Sequence, residues 1–183
     1  MPLPTLIVVS GPPGSGKTTL AHEIARAVGC PAICRDEIKE GMVHATPGYE
    51  AKLSDPLAMR TYTTFFDVIR VLLSAGVTVV AEAAFQDKLW RPALEPLTDL
   101  AEFRIIHSVV DAAVRRDRIE RRLALEPGRA AHADHSHLHN VAAQGPAPDA
   151  FVPIALPVPE IHVDTTDGYE PGIKDVVAFV NRP

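Results

Sequence analysis

The sequence predicts an α/β protein of three layers, a five-stranded parallel sheet with helices on both faces. Three observations predict it. Short apolar runs alternate with longer stretches of helical spacing, as βαβ units require. The runs are apolar almost throughout instead of alternating with polar residues, so both faces of their sheet are covered. A glycine-rich turn separates the first run from the first helical stretch, where such folds bind ligands. At 183 residues the chain suits a single domain, 1–183, and 46% hydrophobic with 22% charged residues excludes a disordered or fibrous protein.

Leu6-Ile7-Val8-Val9 is the first expected strand, followed by the turn and a helix from Lys17 to Val28. Ala32-Ile33-Cys34 is a shorter second strand ending at Arg35-Asp36. From Pro56 to Ala75, Leu57, Phe65, Phe66, Ile69, Leu72 and Leu73 recur at helical spacing, and Gly76 supplies the C-terminal stop. Val77 to Ala81 is the third strand, running into Glu82. A helix over Asp87 to Leu97 is limited by Pro92 and Pro96. Phe103 to Val110 is the fourth strand, Ala112 to Leu125 an arginine-laden helix, Glu160 to Val163 the fifth strand and Pro171 to Val180 the closing helix. Between them, Pro146 to Pro159 holds five prolines in fourteen residues and reads as an extended loop.

Gly11-Pro12-Pro13-Gly14-Ser15-Gly16-Lys17-Thr18 satisfies G-x-x-x-x-G-K-[ST] between a buried strand and a helix. The chemistry needs these types: glycines let successive N–H groups point inward, and the helix N-terminus adds a positive dipole end. Gly11, Pro13, Gly14, Ser15, Gly16, Lys17, Thr18 and Thr19 are the expected nucleotide-binding residues. Lys17 would reach the β- and γ-phosphates of ATP, and the Thr18 hydroxyl would hold Mg²⁺. The motif and its flanks make the expected architecture a three-layer P-loop NTPase fold.

All five strand ends deliver polar groups to the same edge: the phosphate turn, Arg35-Asp36, Glu82, Asp111, and Asp164-Thr165-Thr166-Asp167. That convergence points to one site. Phosphoryl transfer to an alcohol calls for a carboxylate that accepts the hydroxyl proton, and Asp36 is the candidate; its structural alternative is a helix N-cap.

Net charge is −5, so no global basic field gathers nucleic acid, and long nucleic acid is not an expected partner. Thirteen arginines outnumber five lysines, and Arg115, Arg116, Arg118, Arg121 and Arg122 crowd into eight residues. They read either as an anion site or as a solvated face paired with Asp111, Asp117 and Glu120. The apolar runs are too short to cross a bilayer. Cys30 and Cys34, the two cysteines of the chain, are expected to be small buried hydrophobes of a reducing cytoplasm.

These motifs resemble the small P-loop kinases, AAA-type ATP-binding proteins that include polynucleotide kinase, chloramphenicol phosphotransferase, zeta toxin and gluconate kinase. Arg35-Asp36-Glu37-Ile38-Lys39 is similar to the R-D-D-x-R segment of polynucleotide kinases, which implies that Asp36 approaches the substrate hydroxyl as base or orienter. Lys39 stands where those kinases carry a phosphate-binding arginine, and the loss of the bidentate fork weighs against that substrate class. The resemblance implies a metal-holding acid at Glu82 and an arginine-bearing lid over about 112–145. Arg118 and Arg122 would act there on the migrating phosphoryl, with Arg129 beyond Pro127-Gly128. His132 to His139 contains four histidines and Asp134. A metal site is one reading; the preferred one is a polar lid tip with His132 and Asp134 toward substrate. Asp164 to Gly168 resembles the segment near adenine, which brings Thr165 to the nucleotide.

The function so expected is an ATP-dependent kinase acting on a hydroxyl of a small-molecule or nucleotide-like acceptor. Its pocket would be formed by the helix from Pro56, with Arg60, Thr61 and Thr64, by the lid, and by the loop after Glu82, with Gln86. A nucleotide-dependent switch acting through a protein partner and a 5′-hydroxyl polynucleotide kinase are the alternatives.

Overall fold

The computed structural model describes residues 2–49, 55–125 and 151–182. Five parallel strands, β1 (Thr5–Ser10), β2 (Ala32–Cys34), β3 (Val79–Ala83), β4 (Glu102–Val109) and β5 (Glu160–Asp164), lie in the order β2-β3-β1-β4-β5. Between them run α1 (Lys17–Val28), α2 (Arg35–His44), α3 (Pro56–Ser74), α4 (Asp87–Leu94), α5 (Ala112–Leu125) and α6 (Ile173–Val180).

Strand parity divides the core. Leu6 and Val8 of β1 face one side with Val79 and Ala81 of β3, against Phe65, Ile69 and Leu73 of α3 and Trp90 and Leu94 of α4. Ile7 and Val9 face the other side with Val80, against Leu20 and Ile24 of α1 and Val176 and Phe179 of α6. Two helices therefore cover each face, as the continuous apolar strands require.

The differences from expectation have local causes. β3 lies two residues later than its apolar run, because its register with β1 extends to the pair Ser10–Ala83. Glu82 is thus inside the strand and not at its end. The expected Asp87–Leu97 helix divides into α4 and a 3-10 turn at Glu95–Asp99, where Pro96 has no N–H to continue the α ladder. The closing helix begins at Ile173 instead of Pro171, with Gly172 as its N-cap. Of helix α2 the sequence marks only the start, at Asp36: Gly41 and few apolar residues give the rest a weak period. The proline-rich loop does more than connect. Its described part, 151–159, sinks Ile154 and Leu156 into the α3/α4 side of the core. The Asp87 carboxylate there accepts a hydrogen bond from the Ala155 N–H at 3.0 Å.

No helix among the described residues is long and apolar enough to cross a membrane.

Candidate active site

Strand order sends the connection from β1 outward to β2 and the connection from β3 across to β4, so a crevice opens at the carboxyl end of β1. The glycine-rich turn occupies it. Gly16 caps α1 with a left-handed backbone, and no side chain caps the helix, which leaves the first-turn N–H groups to a ligand. Two other glycines are fixed by close approach. A Cβ at Gly11 would lie 2.7 Å from the Ser108 carbonyl oxygen, and one at Gly14 (φ 79°) would lie 2.9 Å from Arg115 Cγ and from Ile119 Cγ1. The turn is wedged between the end of β4 and α5.

Its shape is held by hydroxyls from two strands. Ser108 Oγ donates to the Ser15 carbonyl at 2.6 Å, and Thr165 Oγ1 donates to the same oxygen at 2.7 Å. Ser15 Oγ, by contrast, is buried with no hydrogen-bond partner among the described residues. A buried hydroxyl without a partner is costly in a finished structure and natural beside a phosphate. Half-buried Pro13 completes the turn, and Thr19 follows it, exposed, on α1.

Lys17, Thr18 and Glu82 come together on the α1 side of the sheet. The register pairs Glu82 with Val9 of β1 and with Cys34 of β2, and parity sends its side chain toward α1 with that of Val80. Thr18 Oγ1 donates to Glu82 Oε2 at 3.1 Å, and Lys17 Nζ lies 3.8 Å from Glu82 Oε1. Burial raises the Glu82 carboxyl above the ordinary range, and nearby Asp36 adds to the rise; the Lys17 charge and hydrogen bonds from Thr18 and Cys34 oppose it. A hydroxyl and a carboxylate side by side form an oxygen donor set that suits Mg²⁺.

Across from them is α2. Cys34 is its N-cap residue and Asp36 its second residue, so Asp36 is a first-turn carboxylate and not the cap. The Asp36 side chain is 39% exposed, and Arg35 Nη1 donates to its Oδ1 at 2.9 Å. Lys39 turns the other way. Its Nζ lies 2.6 Å from Asp55 Oδ2, with both side chains almost fully buried, while Asp55 Oδ1 caps α3 by accepting from the Leu57 N–H at 2.9 Å. Lys39 therefore ties α2 to the start of α3.

The arginines of α5 divide. Arg118 Nη1 donates to Thr165 Oγ1 at 3.1 Å, and its Nη2 to the Thr165 carbonyl, locking α5 to the end of β5. Arg121 makes the solvated pair with Asp117, at 3.0 Å. Arg122 faces the phosphate turn.

Two cavities flank that turn. One of about 600 Å³ is lined by Thr19, Arg118, Arg121, Arg122, Thr165, Gly168 and Tyr169 against Gly14 and Gly16. The other, about 230 Å³, is lined by Lys17, Thr18, Thr19, Asp36, Glu37, Glu40 and Arg122 against the same glycines. Thr19 and Arg122 line both.

Sequence reasoning named Lys17, Thr18, Asp36, Glu82, Arg118, Arg122 and Thr165, and the structure gathers them here. Arg60, Thr61, Thr64 and Gln86 line neither of these two cavities, whereas Asp36, Glu37 and Glu40 of α2 line the smaller. Thr61 is buried and its hydroxyl donates to the Leu57 carbonyl at 2.7 Å. Arg129, His132, Asp134 and the lid beyond residue 125 lie outside the described residues. Sequence reasoning reads Glu37 as a first-turn carboxylate, which is its place on α2, and missed Glu40, Ser108 and Tyr169. Ser108 carried a signal, a small hydroxyl near the carboxyl end of the fourth strand; Tyr169 carried none.

Comparison with known proteins bears on the family and the fold. A family described as an AAA domain matches residues 6–145. A candidate kinase from Chloroflexus aurantiacus J-10-fl is 25% identical, with 97% of each chain covered and a TM-score of 0.80. The APS kinase of Mycobacterium tuberculosis, solved with AMPPNP and APS, is 16% identical, with 100% of both chains covered and a TM-score of 0.62. A gluconokinase from Sinorhizobium meliloti 1021 is 19% identical over 98% of this chain and 93% of its own, with a TM-score of 0.54. No curated protein matches the chain in sequence.

Proposed function

This chain belongs to the AAA-domain family of small P-loop kinases, and on that premise we propose that it transfers the γ-phosphoryl group of ATP to a hydroxyl of a small-molecule or nucleotide-like acceptor. The observation that carries the reading is the pair of cavities meeting at one phosphate turn, with Arg122 on both and an acidic residue, Asp36, on the smaller. A hydrolytic switch needs the nucleotide cavity; a kinase needs a second one with a proton acceptor.

In this reading the larger cavity takes the nucleoside, with Tyr169 offering an aromatic face to the base. The N–H groups of the turn and Lys17 take the phosphates. Asp36 receives the proton of the acceptor hydroxyl and holds that oxygen in line with the γ-phosphate. Arg122 faces the charge that develops between the two halves. Thr18 and Glu82 would hold Mg²⁺, which when bound would supply positive charge to offset that of the phosphates. The same carboxylates that would accept an alcohol proton repel a polyanion, and Lys39 is engaged by Asp55. Both features favour a small acceptor over a 5′-hydroxyl polynucleotide. The two free thiols, Cys30 and Cys34, suit a reducing cytoplasm.

The test is ADP release with Mg²⁺·ATP against a panel of sugars, nucleosides, aminoglycosides and 5′-hydroxyl oligonucleotides. One acceptor class should stimulate turnover strongly. Asp36→Asn should then lose about 10²–10⁴-fold in transfer, the usual contribution of a positioned base, while nucleotide affinity is kept. Transfer at the wild-type rate in that variant removes Asp36 from its role. Turnover that no acceptor stimulates, together with ATP-dependent capture of one stoichiometric protein, replaces the kinase reading with a switch.

A further inference from the structure

Beside the phosphate site, three elements bring together a cluster to which the phosphoryl-transfer reading assigns no role, although its Glu37 also lines the smaller cavity. His22 of α1, Cys34 at the end of β2 and Glu37 of α2 each direct one ligand atom to a common point, with those atoms all within 4.8 Å of one another. His22 lies one helical turn beyond Thr18 and so faces the same side of α1. We propose that His22, Cys34 and Glu37 form a binding site for one zinc-class divalent cation, independent of the kinase reading.

The donor set is an imidazole, a thiol and a carboxylate, the mixture that zinc takes and that Mg²⁺ does not. The geometry fits as well. Bond lengths of about 2.3 Å to sulfur and about 2.0–2.1 Å to nitrogen in a tetrahedral site place those atoms about 3.5 Å apart; Cys34 Sγ and His22 Nε2 are 3.6 Å apart. His22 Nε2 and Glu37 Oε1, at 2.6 Å, are hydrogen-bonded and need to separate by less than about 1 Å to admit an ion. Both of these side chains are nearly half exposed, at 42% and 48%, so a cation has an entry path and the fourth position is open to water. Cys34 supplies the buried anchor, at 2% exposure.

A dication bound there would attract both the Cys34 sulfur and the Glu37 carboxylate and displace the thiol proton to solvent.

The experiment is a Co²⁺ titration of the full chain followed by absorption, with Zn²⁺ added afterwards. Bound cobalt should give visible ligand-field bands and a near-ultraviolet thiolate-to-cobalt band at one equivalent, both displaced by Zn²⁺. The thiolate band should vanish in Cys34→Ser and persist in Cys30→Ser. His22→Gln and Glu37→Gln should each weaken cobalt binding about tenfold or more. Because the readout requires sulfur, binding to the His132–His139 segment or to the oxygens of Thr18 and Glu82 does not imitate it. Absence of the thiolate band, its survival in Cys34→Ser, or indifference to both His22→Gln and Glu37→Gln overturns the site. Should Cys34→Ser fail to fold, the two variants at exposed side chains decide the question. Loss of ATP turnover with this band intact would count against the kinase reading alone.

Discussion

The two cavities beside the phosphate turn are built on different principles. The larger is walled by Arg118, Arg121 and Arg122 of α5 and by the segment Thr165 to Tyr169, with hydroxyls of Ser108 and Thr165 converging on the Ser15 carbonyl of the turn that both cavities share. The smaller rests on charged side chains of α2, some half exposed, whose positions depend on how that helix leans on α3. Under the proposed kinase reading, the first should tolerate little and the second be rebuilt with a few substitutions, which would combine a fixed nucleotide half with a variable acceptor half in one fold.

Arg122 is where the comparison breaks most sharply, since it belongs to both halves. Arg122→Ala should lower transfer about 10³-fold, the low end for an arginine that faces a migrating phosphoryl group. Arg122→Lys should recover only part, because the planar fork is lost. The signature is a fall in kcat without selective damage to either KM. If only the KM for ATP rises, Arg122 belongs to the nucleotide half.

A smaller effect isolates the rigid half. Thr165→Val removes a hydrogen bond to the Ser15 carbonyl and one from Arg118 while preserving volume. Two bonds of about 1 kcal/mol each correspond to a loss in ATP affinity of up to about thirtyfold. The KM for the acceptor should not move. Calorimetric titration with a non-hydrolysable ATP analogue measures the first quantity, and steady-state kinetics the second. Equal changes in both would mean that the two halves are mechanically joined through the turn.

The same contrast governs what the sequence discloses. The phosphate turn is legible because its chemistry imposes residue types at fixed spacing, so Gly11 to Thr18 announce themselves before any fold is known. Strand ends are legible as well: Asp36, Glu82 and Thr165 each follow or close an apolar run, and parallel topology gathers them on one edge. Elements held by tertiary contact are another matter. α2 has a weak apolar period, so the sequence marks its first turn through Asp36 and Glu37 but not its extent, and Glu40 carries no signal. Lys39 was read from its position in a motif, whereas its partner Asp55 lies sixteen residues away and caps a different helix. Tyr169 enters the larger cavity only because β4 and β5 pair.

The Lys39–Asp55 pair offers the last test, because it carries the adaptable half on a buried contact. Burial alone would raise the Asp55 carboxyl. Hydrogen bonds from Lys39, Tyr49 and the Leu57 N–H, with the Lys39 charge, outweigh it and leave the group below its ordinary range. A carboxyl depressed in the folded chain stabilises the fold at pH above its unfolded value and loses that contribution as pH falls through the folded one. Asp55→Asn strands the Lys39 charge and should cost about 3 kcal/mol near pH 7. Lowering the pH through and below the carboxylate range should narrow the gap, since the wild type then protonates the same group. Thermal melts of both proteins from pH 7 downward give the difference directly. A gap that stays constant with pH would show that Asp55 acts only as the cap of α3. A gap that closes, while ATP affinity at pH 7 stays at the wild-type value, would place the pair under the acceptor half alone.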